Sequence, residues 1–481
     1  MTDDDGFANK AQPAVRDALI LKLTFGLVLI TSVACSLYAS LDARGLYDDG
    51  VVYLVSICRR EWFWLFDQRR VVQVLRQAPI VMLSKYSSMS LFQRGQVFTF
   101  VLLVLPPMLC ALCWFVLPRC RKAWILFPLA FLLIGFAPTA MEAIGEGAIA
   151  ASYFWILLFL FLFRTRSIGS QRLFLLLGIP AFQLHEGAFP LTGVLLFACA
   201  TRARVAADRR ERIFVAASAL LFVAVFAYQI GWIVYPQFPG NREDVLRGLM
   251  QFEFLYAQGH LNLPVVTAGV AALALTAVVI LQATQPSRTA QVWAQTVAFS
   301  FALFAMAAIA AALLVEQAFS PFGQLQARYF PVFVSAALGA AAVLLLSFRV
   351  PHRLWMQPAT LVILISLCAA QTAADIAASR RWHAFAVDLR SRLANAHGLI
   401  PWETTLATGD KRADLNWRLM AEESTMPLTS IVFAPSSRIE SIVDLPAGMT
   451  RRLVDPEKPD KLPQLRGVDY TPYRSYFHGR K

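Results

Sequence analysis

Residues 18–40 read ALILKLTFGLVLITSVACSLYAS and contain a single charged side chain, Lys22. A helix that spans a bilayer needs about 20 consecutive, mostly apolar residues, and this run meets that requirement. Similar runs return along the chain, so that 57% of its 481 residues are hydrophobic and only 16% are charged. This composition excludes an intrinsically disordered chain, a coiled coil and a disulfide-stapled secreted domain. It predicts a polytopic, all-α membrane protein.

The apolar runs predict eleven membrane segments. Nine are uninterrupted and lie at residues 18–40, 96–117, 123–141, 148–163, 213–235, 264–282, 293–315, 329–348 and 357–375. The run 173–200 has clusters of arginine on both sides, which a single crossing would place on opposite faces of the membrane. Because basic residues gather on the cytoplasmic face, we expect two short helices here that meet at Gln183–Gly187.

Lysine and arginine in the short loops also predict the orientation. The N-terminal tail, residues 1–17, is expected in the cytoplasm, and the segment after residue 375 is expected outside. The net charge of +13 is explained by these loops and requires no nucleic-acid partner. The sequence therefore divides into this tail, a membrane domain at 18–375 and an outer C-terminal domain at 376–481.

Three substantial outer regions are expected, at residues 41–95, 236–263 and 376–481. The first outer loop, residues 41–95, mixes aromatic residues with arginine over 51–75, which is typical of helices that lie in the membrane interface. The alternative is an ordinary amphipathic helix that packs over the membrane domain. The C-terminal region predicts a small soluble α/β domain, with a strand at Ser430–Pro435.

An acidic pair, Asp48-Asp49, directly follows the first membrane segment. Paired carboxylates at this position suit a general base, a bound cation or a metal that bridges to phosphate. The alternative is structural, because acidic residues are also favoured in the first turn of a helix, and a helix that begins near Gly50 would place the pair there.

Three further ionisable residues lie at the predicted outer edge of the membrane, where burying a charge is costly and charged residues are functional candidates. His185 and Glu186 occupy the apex of the broken hairpin. A histidine beside a glutamate suits orienting a substrate hydroxyl, shuttling a proton or contacting an anion, and the alternative is an internally satisfied polar turn. Arg328 precedes a late helix and suits either a phosphate contact or a simple membrane anchor. For Glu142 and Glu146, in a short turn, we expect a solvated or structural role.

The combination resembles the GT-C superfamily of integral membrane glycosyltransferases. The stretch Asp48-Asp49-Gly-Val-Val-Tyr53-Leu54 is similar to the acidic motif that these enzymes carry in their first outer loop. Arg328-Tyr329-Phe330-Pro331 is similar to the Arg-Tyr-x-x-Pro motif of many bacterial members, although Pro331 comes one residue early. The resemblance covers the arrangement of residues 18–375 and leaves the C-terminal region unassigned.

The resemblance implies a bacterial inner-membrane enzyme, with its C-terminal domain in the periplasm, that moves a sugar from a polyprenyl-phosphate donor to a glycan, lipid or protein hydroxyl with inversion. Asp48 or Asp49 would be the base, and Asp48 is the preferred assignment. The residues expected to contact the donor phosphate or substrate are Arg328, His185, Glu186, Tyr329 and Tyr53. A divalent cation is compatible with such chemistry, but the sequence contains no complete set of ligands for one.

Three other classes of protein fit parts of the pattern. An O-antigen polymerase or ligase would carry its large outer loop late in the chain, whereas here the loop 316–328 is short. A transporter or flippase would have a second broken helix in its other half. A non-catalytic scaffold would need no acidic site. Its function would therefore survive substitution of the acidic pair, whereas that of an enzyme would not.

Overall fold

The structure is a computed structural model, and over its described residues the chain is almost entirely helical with four short strands. The described residues are 5–47, 49–138, 145–206, 208–235, 256–257, 260–284, 288–314, 329–347, 358–406, 410, 414, 417–418, 420–421, 425–444, 463–466 and 468–478.

The helices in chain order are α1 (Asp5–Leu41), α2 (Asp49–Arg60), α3 (Arg70–Tyr86), α4 (Leu91–Val116), α5 (Leu126–Phe131), α6 (Glu146–Phe163), α7 (Ile168–Gly178), α8 (Phe189–Val205), α9 (Arg209–Val234), α10 (Leu263–Thr284), α11 (Arg288–Leu314), α12 (Tyr329–Ser347), α13 (Pro358–Asn395), α14 (Trp402–Leu406), α15 (Met426–Phe433) and α16 (Thr471–His478). The strands are β1 (Tyr256–Ala257), β2 (His260–Leu261), β3 (Gly398–Pro401) and β4 (Ser441–Asp444). Strands β1 and β2 pair antiparallel, while β3 and β4 pair parallel.

Eight of the described helices are long and apolar enough to cross a membrane. Many of them also expose large apolar side chains, for example Leu23, Leu220 and Phe299, as expected where lipid replaces water. The coarse prediction of an all-α polytopic membrane protein is thereby confirmed. The other three predicted segments fall on α5, α7 and α12, which are not among the eight.

The run 173–200 is broken, as its flanking charges predicted. Helix α7 ends at Gly178, a 3-10 turn covers Ile179–Gln183, and His185 has an extended backbone with φ −174° and ψ 135°. Helix α8 then begins at Phe189 with Pro190 in its first turn, where the missing amide hydrogen of proline has no cost. The apex of this hairpin carries His185 and Glu186.

The first outer loop folds into helices α2 and α3, joined by an irregular segment at 61–66. Each helix buries one face. In α2 the buried side chains are mainly apolar, whereas α3 buries four polar or charged ones, namely Gln73, Arg76, Gln77 and Ser84. A polar inner face of this kind is unusual in a helix that only covers a core, and it points to a site.

Helix α13 has 38 residues and continues without interruption through residue 375, the predicted end of the membrane domain. Beyond it, β3 and β4 form a two-stranded parallel ladder with Gly398 opposite Ser441. The prediction of a strand at Ser430–Pro435 is wrong. Residues Met426–Phe433 are helical and all buried, and a short continuous apolar run does not distinguish a buried helix from a buried strand.

Two large hydrophobic cores organise the chain. The first joins the membrane helices. The second contains α2, the end of α3, the last turns of α13 and the C-terminal segments. In this second core Phe433 lies 5.3 Å from Phe92 and 5.9 Å from Trp382 between ring centroids. The first outer loop and the C-terminal region therefore share one core.

Candidate functional site

Glu146, the first residue of α6, is the centre of a buried polar cluster and is only 1% exposed. Its Oε1 accepts hydrogen bonds from the Tyr53 hydroxyl and from Gln73 Nε2, both at 3.1 Å. Its Oε2 accepts one from Arg69 Nη1 at 2.8 Å. An acidic residue in the first turn of a helix is also stabilised by the helix dipole. Glu146 is therefore a buried acceptor, which excludes the solvated alternative of the predicted solvated or structural role.

Arg69 links the first outer loop to the apex of the hairpin. Besides its bond to Glu146, its Nε donates to both carboxylate oxygens of Glu186, at 3.1 and 2.9 Å, and its Nη2 also pairs with Glu186. One guanidinium thus bridges two carboxylates that come from different helices. Bidentate arginine–carboxylate pairs are among the stronger hydrogen-bonded contacts in proteins, so this bridge fixes the loop against the apex.

Arg76 provides the second positive charge of the cluster and is 0% exposed. Its Nη2 lies 2.5 Å from Glu146 Oε1, and its guanidinium lies 3.9 Å from the centroid of the Tyr53 ring. Its Nε and Nη1 are buried and have no hydrogen-bond partner among the described residues. A buried donor without an acceptor is costly, so these atoms suit contact with an anion.

His185 is buried at the apex, with its ring 5.2 Å from that of Phe333 on α12. Its Nδ1 accepts a hydrogen bond from the Gly187 amide at 2.9 Å and lies 3.6 Å from Glu186 Oε2. Since Nδ1 accepts from the backbone in this geometry, a neutral ring carries its proton on Nε2. The histidine therefore shapes the turn that presents Glu186.

Two glutamines of α3 hold the irregular segment 61–66 in place. Gln77 accepts from the Trp64 amide at 2.8 Å and donates to the Trp64 carbonyl at 2.7 Å. Gln73 accepts from the Phe66 amide at 2.5 Å. The rings of Trp64 and Phe66 then pack around Tyr53, at centroid distances of 4.5 and 6.2 Å. These contacts place the Tyr53 hydroxyl against Glu146.

The predicted acidic pair is only partly described. Asp49 is the first residue of α2 and half-buried, and it precedes Tyr53 by four residues. Residues four apart lie on the same face of a helix, one turn apart, so Asp49 adjoins the cluster through Tyr53. Asp48, Arg328 and Glu142 lie outside the described residues. Tyr329 begins α12, but its side chain is not among those described.

The electrostatic balance of the cluster limits what it can bind. Two arginines, Arg69 and Arg76, neutralise two carboxylates, Glu146 and Glu186. In the described part of the chain no group of three or more His, Cys, Asp or Glu side chains is arranged to hold a metal ion. Both carboxylates already pair with arginine, so the cluster does not fit a cation.

A second buried ion pair lies apart from this cluster. Arg44 donates from Nη1 to the Asp375 carbonyl at 3.0 Å and to Ser379 Oγ at 2.6 Å, and its Nη2 pairs with the Asp375 carboxylate. Both residues border a cavity of about 50 Å³ between α1, α4 and α13. This volume suits one or two water molecules and not a substrate. The pair therefore has a structural role, joining the end of α1 to α13.

Sequence reasoning found part of this cluster and missed the rest. Tyr53, His185 and Glu186 were predicted site residues, and the structure brings them together. Arg69 and Arg76 were not singled out, because arginines among aromatic residues suggested a membrane interface. One sequence pattern could have indicated them. Gln73, Arg76 and Gln77 are polar residues spaced three to four apart, which places them on one face of α3.

The fold and the cluster together define an all-α polytopic membrane protein with a buried ion cluster where helices α2 and α3 meet a broken helical hairpin. No protein-family model, curated protein or solved structure matches the chain.

Proposed function

We propose that this protein is a membrane glycosyltransferase that uses a polyprenyl-phosphate sugar as donor. It transfers the sugar to a hydroxyl of a glycan, lipid or protein acceptor on the outer face of the bacterial inner membrane. In this arrangement the N-terminus is cytoplasmic and the C-terminal region is periplasmic. The proposal combines the resemblance of the acidic motif to the GT-C superfamily with the cluster around Glu146.

The observation that carries the proposal is the buried contact between the first outer loop and the apex of the hairpin. Arg69 and Arg76 from the loop meet Glu146 and Glu186 from the membrane helices. Charges buried at the edge of a membrane domain are costly and are associated with function. Tyr53 of α2 contacts two of these charges, Glu146 and Arg76, and Asp49 lies one helical turn before Tyr53.

The chemistry assigns a separate task to each part of the site. A carboxylate of the acidic pair, Asp48 or Asp49, takes the proton of the acceptor hydroxyl while that oxygen bonds to the anomeric carbon. The bond from this carbon to the donor phosphate breaks on the opposite face, which inverts the configuration. A general base of this kind typically contributes about 10²–10⁴-fold to the rate.

The leaving lipid phosphate gains negative charge, which positive groups fixed beforehand stabilise. Arg328 is the sequence candidate for this contact. Arg76 is a second candidate, because its Nε and Nη1 have no hydrogen-bond partner among the described residues. No step is assigned to a metal ion, since both carboxylates of the cluster are paired with arginine.

The acidic pair tests the proposal directly. In a deletion strain complemented with the D48N/D49N double variant, we expect the loss of one sugar from the lipid-linked or surface glycans, with a rate reduced about 10²-fold or more. Mass spectrometry of both glycan pools measures this loss. The matched control is Asp67→Asn, which changes an exposed carboxylate of the same loop that pairs with its neighbour Arg70.

Full transfer by the double variant would refute the assignment of the base. A deletion strain with an unchanged glycan profile and an accumulating small solute would refute the proposed transferase activity and would indicate a transporter. A change in chain length alone, with every sugar present, would indicate a polymerase.

A further inference from the structure

A cleft of about 520 Å³ opens between the end of α2 and the C-terminal segment, away from the cluster around Glu146. Its size lies within the range of about 300–1,000 Å³ that is usual for small-molecule sites. None of the residues of the cluster lines it. The α2 side contributes Cys58, Arg59 and Glu61, and the C-terminal side contributes Arg466, Tyr470, Thr471 and Arg474, among others.

The cleft is positively charged. Three arginines, Arg59, Arg466 and Arg474, line it with a single carboxylate, Glu61, which leaves a net charge of +2. Arg466 is held in position by a hydrogen bond from its Nη1 to the carbonyl oxygen of Lys85, at 3.2 Å. Guanidinium groups match the geometry of carboxylates and phosphates, so the lining suits an anion.

Two polar atoms of the lining lack the partner that such an anion would provide. Arg474 Nε and Tyr470 Oη are both buried and have no hydrogen-bond partner among the described residues. Burial also raises the pKa of the Tyr470 hydroxyl, which keeps it protonated and able to donate. A ligand rich in acceptor oxygens would satisfy both donors.

The C-terminal wall of the cleft is held together by hydrogen bonds within the chain. Asp469 exchanges backbone hydrogen bonds with Ser437 and Ile439, both at 2.8 Å, and its Oδ1 accepts from the Thr471 amide at 2.9 Å. Tyr473, fully buried, anchors α16 in the second core. Because these hydrogen bonds hold the wall in place, binding of an anion does not have to order it, and little binding free energy is spent on ordering.

We propose that this cleft binds the acidic group of the acceptor, a carboxylate or a phosphate carried on a glycan. The assignment to an acceptor rests on the proposed function. Arg59 and Asp49 lie ten residues apart on α2, about 15 Å along the helix axis. An extended acceptor would thus be held by its acidic group at one end of α2 while its hydroxyl reacts at the other.

Binding of simple anions to the purified full-length protein tests the cleft without requiring transfer. The probes are glucuronate and inorganic phosphate, with glucose as the neutral comparison, and calorimetry measures each affinity. We expect the anions to bind and glucose not to bind. Arg474→Gln and Arg466→Gln should each weaken anion binding about tenfold, because each removes a charge-assisted hydrogen bond.

The matched control is Arg418→Gln. Arg418 belongs to the same C-terminal region, but it is exposed and does not line the cleft. It should leave anion binding unchanged. In a transfer assay the two cleft variants should raise the acceptor KM about tenfold with kcat retained, as expected when a binding contact remote from the reaction is lost.

The outcomes separate this inference from the proposed function. Anion binding that persists in both cleft variants, or glucose binding of equal strength, overturns the proposal that the cleft binds an acidic group. Tighter binding of glucuronate than of phosphate supports the proposal and indicates an acceptor with a uronic acid. Tighter binding of phosphate supports the proposal and indicates a phosphorylated acceptor. A protein that binds anions here but transfers no sugar refutes the proposed function and leaves the anion site standing.

Discussion

At the scale of single residues, Glu146 does the most to hold the site together. Its single carboxylate compensates the buried Arg76 and the half-buried Arg69, and it also accepts hydrogen bonds from Tyr53 and Gln73. Removing one partner of a buried ion pair leaves an uncompensated charge and costs about 3–5 kcal/mol, whereas an exposed pair contributes about 0–1 kcal/mol. The fold therefore depends on Glu146 more than on any exposed carboxylate of the loop.

Glu146→Gln is expected to lower the stability of the protein by about 3–5 kcal/mol, because glutamine keeps the shape and loses the charge that Arg69 and Arg76 require. Thermal unfolding of the detergent-purified protein measures the effect. Asp67→Asn is the matched control and should change the melting temperature little, since Asp67 pairs with Arg70 on the surface. Equal melting temperatures for both variants would contradict the role assigned to Glu146.

The residues of the cluster also mark the limit of what the sequence could predict. Tyr53, His185 and Glu186 were accessible because each lies beside a recognisable signal, an acidic motif or a helix break. Glu146 was not, because a glutamate in a short turn is usually solvated, and its burial depends on Arg69 and Arg76, which are 77 and 70 residues away in the chain. Partners so distant in sequence leave no local pattern.

At the scale of helices and turns, the apex of the hairpin depends on a close approach to α12. A Cβ atom placed on Gly187 would lie 2.7 Å from the Phe333 ring and 3.2 Å from His185 Nδ1. Real Cβ atoms do not approach other atoms as closely as 2.7 Å, so the turn or the ring would have to move. Gly187 is thus required by the packing of the turn against α12.

Gly187→Ala is expected to destabilise the protein by about 1–3 kcal/mol, the usual cost of overpacking. Phe333→Leu in the same chain should recover part of that loss by making room, and a double-mutant cycle of melting temperatures measures the recovery. Gly169→Ala is the control, because a Cβ there meets nothing within 4 Å. Strictly additive effects of the Gly187 and Phe333 substitutions would argue against the contact.

The elements themselves were predictable to different degrees. The apolar runs located the long helices, and the charges that flank 173–200 located its break. The buried segment Met426–Phe433 was misassigned as a strand, because burial on all sides removes the periodicity that separates a helix from a strand. Local patterns identify half-buried elements well and fully buried ones poorly.

At the scale of the whole molecule, the second core makes the first outer loop and the C-terminal region one unit. Phe433 contacts Phe92 and Trp382, while the Arg390 guanidinium lies 3.9 Å from the centroid of the Phe92 ring. Substitutions that disrupt the core in the C-terminal region should therefore also destabilise the loop that carries Asp49.

Phe433→Ala is expected to cost about 3–5 kcal/mol and to loosen α2, because it removes a fully buried ring from the shared core. Faster trypsin cleavage at Arg59 and Arg60, the exposed end of α2, measures this loosening. Phe299→Ala is the control, since that ring is 65% exposed on the membrane surface. Unchanged cleavage in the Phe433 variant would mean that the two regions are independent.

Helix α13 has a consequence for how the chain tolerates changes in its length. Its 38 residues extend about 57 Å, well beyond the roughly 30 Å of a bilayer core, and it joins the membrane helices to the second core with no break. Inserting one residue beyond Asp375 would rotate everything after it by about 100° and raise it by about 1.5 Å. The helix acts as a rigid spacer of fixed length and phase, so substitutions along it are far better tolerated than insertions or deletions.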